Sequence, residues 1–587
     1  MTADPAVARR AVRRAAPSCA RLLVDRLVAH GADTVFGIPG THSLGLYEAL
    51  ADSPLRHVTT RHEQGAGYAA DGYARVTGRP GVVFTTSGPG LLNAAAAVGQ
   101  AYSDSVPLLV VSPGMPRGHR PGTGALHEVK DQRGVMAALC GWSRRVGSAA
   151  ELLDALDEAY AGFGAARARP VHVEVPVDLL DAPVAGPPPY GLLPAGPPPY
   201  DPSPADPPPY DPSPTEPPAT PPAGLAAAAA VLAAARRPVI VAGGGAVTAG
   251  PELAELAALV GAAVVTSVNG KGVFPEDHPS SLGAGLHLAA VHAALAEADA
   301  VLAVGTELSP ADTWDRPLAV PGPLVRVDLD PGQLHRNAEA AHPLCGPAGP
   351  VLAALAGAVR AALPAGKRPP GPQLARWRAA VRAEGDRLAA PWAGLVGRLR
   401  AALPAGAVLV NDSAQVCYYG ATTAFRVAGP RRFLYPTGFG TLGYALPAAI
   451  GARTARPDTP VVALCGDGGL QFTLNELATA VELRLPLPVV VVDNGGYGEI
   501  RAQMSGRGFR PLAVDVPGPD PVALARAFGA AGVHAASPAA AARAVAAALR
   551  ADGPTVVAIR ESDCRESDCR EFDCPESDCR ESGCRAA

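Results

Sequence analysis

Asp467 and Asn494 are the two side chains whose surroundings most clearly suggest chemistry. Asp467 follows the apolar run Val461–Leu464 in the turn Cys465-Gly466-Asp467-Gly468-Gly469, and Asn494 follows Val489–Val492 in Asp493-Asn494-Gly495-Gly496. A carboxylate and an amide oxygen, flanked by glycines that let the backbone come close, suit a hard divalent cation. Mg²⁺ is commonly held by one or two such ligands, with phosphate oxygens and water completing six sites. The residues alone therefore point to a metal and a diphosphate.

Certain elements must position this pair. Both apolar runs are too short for helices and are bounded by glycine, so they read as buried strands. Thr473 and Glu476 are spaced as a capping box, which predicts a helix from there to about Leu485 with free N–H groups near the anion. A strand–helix–strand unit joins parallel strands, so Asp467 and Asn494 are expected side by side at the carboxyl edge of one sheet. Open α/β sheets bind ligands at that edge.

The same alternation recurs along the chain. From about Pro17 to Leu180, strands at Val35–Ile38, Val82–Thr86 and Leu108–Ser112 alternate with helices, one opening at Arg61-His62-Glu63-Gln64-Gly65 and one at Leu91–Tyr102. Residues 183–224 are proline-dense and carry PPPY three times at ten-residue spacing, an extended spacer of polyproline II form. A second block, 225–365, has strands at Val239–Ala242, Ala263–Thr266, Ala300–Val304 and Leu324–Val327; its Gly243-Gly244-Gly245 lacks a full nucleotide fingerprint. Residues 366–386 read as a connector, 387–560 as a third block, and 561–587 as a tail. The expected fold class is α/β, with three doubly wound parallel-sheet domains.

With 587 residues, 48% of them hydrophobic, the chain has room for about three domains. A net charge of −4 gives no electrostatic case for nucleic acid or a membrane surface. No stretch has the length of a membrane span, and the arginines at positions 9, 10, 13 and 14 lack the apolar core of a signal peptide, so a cytoplasmic location is expected. Five of the ten cysteines are scattered. The other five lie in the five-residue repeats of the tail, a spacing unlike paired zinc ligands, and read as a repeat expansion without catalytic role.

Several stretches in this order carry a resemblance: FGIPG at Phe36–Gly40, RHEQGAGYAADGYAR at Arg61–Arg75, TSGPG at Thr86–Gly90, and GDGG followed at a distance by Asn494. About Ala20 to Arg560 resembles the thiamine diphosphate enzymes of the acetohydroxyacid synthase and pyruvate oxidase-like family. The resemblance implies a pyrimidine-binding domain over 17–182, a central domain over 225–365 and a diphosphate-binding domain over 387–560. It implies Mg²⁺ on Asp467, Asn494 and the carbonyl of Gly496, with Gly466, Gly468, Gly469 and Gly440 around the cofactor. Leu442 matches the residue that holds the cofactor bent. Glu63 matches the carboxyl that hydrogen-bonds the aminopyrimidine and favours the tautomer that takes the C2 proton. Cofactors of this family lie between subunits, so a homodimer or homotetramer is implied.

Asp493 stands where the family's signature has a first asparagine. Further departures bear on the reaction. Leu126-His127-Glu128, Gly305-Thr306-Glu307-Leu308-Ser309-Pro310 and Gly498-Glu499-Ile500-Arg501 replace stretches typical of acetohydroxyacid synthases. FGIPGTHSL, GALHEVKDQ, GTELSPADTW and NGGYGEIR are more similar to 5-guanidino-2-oxopentanoate decarboxylases. The replacements disfavour FAD and favour decarboxylation of a larger 2-oxo acid through an enamine. His127 and Glu128 are then candidates for proton transfer or substrate contact, His42 has similar status, and Glu499 is a candidate partner for a guanidino group. The alternatives are a carboligase joining two 2-oxo acids, like acetolactate synthase, and a catalytically silent regulatory subunit, against which intact Glu63, Asp467 and Asn494 argue.

Overall fold

The computed structural model describes residues 17–184, 222–363, 366 and 368–565. The N-terminal arginines, the PPPY repeats and all but the first cysteine repeat lie outside them. Three six-stranded sheets, parallel throughout, account for the strands. The first runs Arg56–Thr59, Thr34–Gly37, Gly81–Phe84, Leu108–Gly114, Val171–Pro176, Trp142–Arg145. The second runs His342–Cys345, Leu324–Asp328, Ala300–Val304, Pro238–Ala242, Ala263–Thr266, Ser281–Gly283. The third runs Phe433–Leu434, Val408–Asn411, Val461–Gly466, Pro488–Asp493, Thr555–Arg560, Ala531–His534. Three doubly wound α/β sheets are what the alternation of short apolar runs and helices predicted.

Strand Val461–Gly466 shows why such runs become central strands. Val461, Ala463 and Cys465 enter the core beneath helix Ala445–Ala455, while Val462 and Leu464 enter the core on the opposite face. Alternate residues thus serve two cores, and a continuous apolar run is required. Each fully buried valine or leucine contributes about 1.5–3 kcal/mol.

The first and third sheets are joined by two helices of small residues, Glu63–Thr77 and Ala445–Ala455. A Cβ on Gly72 would run into the Ala448 carbonyl, and one on Gly451 into that of Ala69, so the close crossing needs both glycines. Beside it, Arg75 ties all three units together. Its guanidinium bonds Asp71 at 2.6 Å, Asp104 at 2.7 Å and Asn269 at 3.0 Å, and Tyr444 donates to Asp71 at 2.5 Å. Asp104 in turn accepts from the backbone N–H groups of Thr437 and Gly438.

Three local expectations differ from the structure. The helix from Thr473 to Leu485 is instead a single turn, Asp467–Leu470, and a separate helix, Glu476–Glu482. The capping box does not form: Thr473 donates to the carbonyl of Gly443, and Glu476 turns to the first unit. The connector is largely the helix Gln373–Ala389, whose Leu374, Trp377 and Val381 recur at helical spacing and pack into the second unit's core. The tail's first repeat also folds back, burying Cys564, whose carbonyl accepts the N–H of Leu395.

Candidate active site

Asp467 and Asn494 stand at the ends of adjacent strands on the carboxyl edge of the third sheet, next to the switch point between Val408–Asn411 and Val461–Gly466. Asp467 is 8% exposed, and burial raises its carboxyl above the usual carboxylate range. One of its oxygens, Oδ1, accepts the N–H of Asn494 at 3.3 Å. The other, Oδ2, is buried without a partner, and so is Asn494 Oδ1. Buried polar atoms left unpaired are costly and call for an explanation, and two oxygens orphaned at one edge suit a cation. Among the described residues no group of three or more His, Cys, Asp or Glu has metal-binding geometry, so any cation here relies on carboxylate, amide and backbone oxygens.

The turn after Asn494 brings such a backbone oxygen close. Gly495 and Gly496 have φ of +77° and +132°, and a Cβ on Gly468 would lie 3.3 Å from the Gly496 carbonyl. Asp493 caps this turn, accepting the N–H of Gly495 at 3.0 Å. Above these groups is a cavity of about 660 Å³, to which Gly440, Leu442, Gly466 and Gly469 also contribute. Gly440, at φ +64°, has open space where a Cβ would be.

Asp412 shapes that wall and carried no sequence motif. It ends strand Val408–Asn411 and accepts the backbone N–H groups of Ser413, Gly443 and Ala445 at 2.8, 3.0 and 3.2 Å. Complete burial pushes its carboxyl up to about 6. An aspartate shortly after an apolar run was present there too, but without the glycine-rich turn that singled out Asp467.

Glu63 lies elsewhere. It opens helix Glu63–Thr77 at the carboxyl edge of the first sheet, is 8% exposed, and accepts from Asn93 Nδ2 at 2.9 Å. A Cβ on Gly90 would come within 2.9 Å of it, which ties the TSGPG turn to this carboxyl. His127 sits at the next turn with φ +63°, its ring 5.0 Å from that of His42, and Ser87 bonds His42 Nδ1 at 2.6 Å. Glu128 is committed otherwise. It accepts from the backbone N–H groups of Gly122, Gly124 and Ala125 and pairs with His119, and these bonds hold its carboxyl down to about 2. Those partners make it an organiser of its own loop and speak against proton transfer.

The structure thus gathers the sequence-derived residues into two groups, Glu63, His42, His127 and Glu128 in the first unit and the remainder in the third. Glu63 and His127 do not line the third-sheet cavity of their own chain. Family profiles match both halves and the middle: thiamine pyrophosphate enzyme, N-terminal TPP binding domain, over 17–135; central domain over 225–355; C-terminal TPP binding domain over 413–559. The chain belongs to the thiamine pyrophosphate enzymes. A probable 2-ketoarginine decarboxylase of Pseudomonas aeruginosa is 42% identical over 512 residues, 86% of this chain and 87% of that one. An acetolactate synthase of Mycobacterium bovis is 34% identical over 504 residues, covering 83% and 77%. The isozyme 2 large subunit of acetolactate synthase from Escherichia coli is 31% identical over 531 residues, covering 88% and 90%.

For a thiamine pyrophosphate enzyme the third-sheet edge is a fitting donor set. Its two orphaned oxygens face a cavity large enough for a cofactor's diphosphate and a substrate. A second residue whose role the sequence did not signal is Glu476 of the third unit, read there only as half of a capping box. It is fully buried and accepts the backbone N–H groups of Arg61 and His62, both at 3.0 Å, just before Glu63. Gly244 and Gly245 of the second unit open on another cavity, of about 530 Å³, where Glu307 is paired with Arg167 and Arg169. Among the described residues no helix is long and apolar enough to cross a membrane.

Proposed function

We propose that this thiamine pyrophosphate enzyme is a Mg²⁺-dependent decarboxylase of a 2-oxo acid with a long, guanidino-bearing chain. The observation that carries the reading is the pair of orphaned oxygens, Asp467 Oδ2 and Asn494 Oδ1, beneath the 660 Å³ cavity. They, with the Gly496 carbonyl, would hold Mg²⁺ and through it the diphosphate. The 42% identity to a probable 2-ketoarginine decarboxylase supports the choice of substrate. When bound, the cofactor supplies a carbon nucleophile and an electron sink for loss of CO₂.

Glu63 holds a proton for the aminopyrimidine ring, and the crossing at Gly72 and Gly451 fixes its helix. Leu442, on the cavity wall, would support the cofactor from below. His127, with His42 and Ser87, supplies a polar edge beside Glu63 where a proton can be delivered. Because Glu63 does not line its own chain's cavity, the complete site is read as lying between two subunits of a homodimer, or within a tetramer of such pairs. The units 17–182, 225–365 and 387–560 are taken as its three domains, and a cytoplasmic location goes with this reading.

The purified protein with thiamine diphosphate and Mg²⁺ is expected to release CO₂ from 5-guanidino-2-oxopentanoate faster than from pyruvate, with the aldehyde as product. Absence of CO₂ from every 2-oxo acid tried would overturn the reading. The 34% identity to acetolactate synthase supports a second one, carboligation. Colorimetric acetoin formation from pyruvate would reveal it.

A further inference from the structure

The cavity above Asp467 has an unusual charge. Asp312, Asp315, Asp467 and Glu499 line it, and among the described residues on its wall there is no lysine or arginine. His287, the wall's one histidine, stacks on Trp314 at 4.2 Å and is held neutral at ordinary pH, because burial lowers its value to about 4. Once Asp467 is assigned to a metal, three carboxylates remain without a cation. A 2-oxo acid with a neutral chain is an anion, and it gains nothing from such a wall. A 2-oxo acid carrying a cation at its far end replaces that repulsion with attraction.

One of the three carboxylates is held in a fixed orientation. Glu499, in the first turn of helix Gly498–Gly506, accepts from Gln415 Nε2 at 3.0 Å, Tyr419 Oη at 3.2 Å and Gln503 Nε2 at 2.9 Å. All three donors are neutral, so its charge is oriented without being paired. Around it stands a wall of rings. Tyr418 and Tyr419 are consecutive residues of a π-helical turn, Val416–Ala421, and their rings lie 4.6 Å apart. Trp314 meets Tyr419 edge-on at 5.3 Å and Tyr418 at 6.4 Å. Two signs of local cost mark the spot: the π-turn, and the left-handed backbone of Trp314 and Asp315, at φ +51° and +57°. Strain of this kind collects where a site must be shaped.

We propose that Glu499, backed by Trp314, Tyr418 and Tyr419, is the subsite that receives the planar cationic end of the substrate and selects it over neutral chains. A guanidinium suits both parts, since its N–H fork matches a carboxylate and its flat face stacks on aromatic rings. Asp312, on the same wall, adds negative charge. The assignment rests on the decarboxylase reading above and goes beyond it by naming the residues of selection.

The test compares 5-guanidino-2-oxopentanoate with 5-ureido-2-oxopentanoate, which has the same shape and no charge, on the holoenzyme. Wild type should prefer the guanidino acid. In Glu499→Gln, kcat/KM for it should fall on the order of 10- to 100-fold, the range of one hydrogen bond to a charged group, chiefly through KM. The guanidino-to-ureido ratio should collapse in proportion, Glu499→Asp should restore part of it, and Tyr419→Phe should reduce it by less. Isothermal titration of the holoenzyme with 5-guanidinopentanoate should show the same loss without turnover. Equal falls for both substrates would mark Glu499 as merely structural and overturn the proposal. Wild type that favours the ureido acid or pyruvate would overturn it while leaving a decarboxylase. No CO₂ from any of them would sink both.

Discussion

Counted in order of appearance, the strands of the first sheet and of the third follow one spatial plan, second, first, third, fourth, sixth, fifth; the middle sheet instead runs sixth, fifth, fourth, first, second, third. Equal plans place different groups at equal positions. After its third strand the third sheet presents Asp467, whereas the first presents Thr85, Thr86 and Ser87. After its second strand the first sheet presents Glu63 on a long helix, whereas the third turns through Gly440 and Leu442. Topology therefore selects the edge, and the turn residues decide which half of the proposed chemistry each edge would serve.

Substitution at the two carboxylates should separate the halves most sharply. Glu63→Gln should lower kcat by about 10²- to 10⁴-fold, the usual contribution of a positioned proton-transfer group, and leave thiamine diphosphate affinity nearly intact. Asp467→Asn should act in the reverse sense, since its buried, unpartnered Oδ2 is the proposed metal ligand: the Mg²⁺ and cofactor dissociation constants should rise by roughly 100-fold or more, comparable to or beyond the loss of a supporting ligand contact. Cofactor titrations by tryptophan fluorescence, beside steady-state rates, distinguish the two. If Glu63→Gln weakened cofactor binding as much as Asp467→Asn, the division between the sheets would be wrong.

The join between the halves should be nearly as sensitive. Arg75 is almost enclosed and answers Asp71 and Asp104, whose side chains are 0% and 2% exposed. Arg75→Ala leaves two buried carboxylates without their cation, and breaking such a group typically costs about 3–5 kcal/mol. A large fall in thermal midpoint is expected. A midpoint within a degree of wild type would mean that the three units do not depend on this residue.

These sites were unequally legible. Ala263–Thr266 and Ala300–Val304 were readable to the residue, because a central strand must be apolar on both faces. The edge strands Arg56–Thr59 and Trp142–Arg145 carry no such run, since one flank and part of each face meet water. Asp467 and Asn494 could be paired from spacing because one crossover separates them. Glu476 could not, because its partners are 415 and 414 residues away. The capping box at Thr473 failed for the same reason: a local signal of about 1 kcal/mol yielded to buried, charge-assisted bonds made across the interface.

A further contrast concerns protons. Asp412 is pushed up to about 6 by burial, so the folded chain keeps its proton more tightly than the unfolded chain, where aspartate titrates near 3.8. Below both values there is no penalty. As pH rises from about 4 to about 6 the unfolded chain ionises first and native stability is lost, by about 3 kcal/mol at 1.36 kcal/mol per pKa unit. Thermal midpoints of wild type and Asp412→Asn, taken at pH 4 and pH 7, should therefore shift relative to each other in favour of the variant at the higher pH. A constant difference would show that Asp412 ionises as readily folded as unfolded.

The smallest expected effect tests how one half supports the other. Glu476 belongs to the third unit, yet its carboxylate receives the N–H groups of Arg61 and His62, the two residues that lead into Glu63, and Thr479 donates to it at 2.7 Å. Burial raises its carboxyl, and the bonds from Thr479, Arg61 and His62 act in the opposite direction. Glu476→Gln keeps the size and one acceptor and removes the charge. Bonds to a charged group exceed neutral ones by about 1 kcal/mol, so kcat should fall by roughly fivefold as Glu63 loses its fixed approach. The Mg²⁺ and cofactor dissociation constants should stay near wild type, and Glu476→Ala should lose more. A variant that weakened cofactor binding while preserving kcat would place Glu476 with the metal half instead, and the link from the third sheet to the proton-holding carboxyl of the first would have to be sought elsewhere.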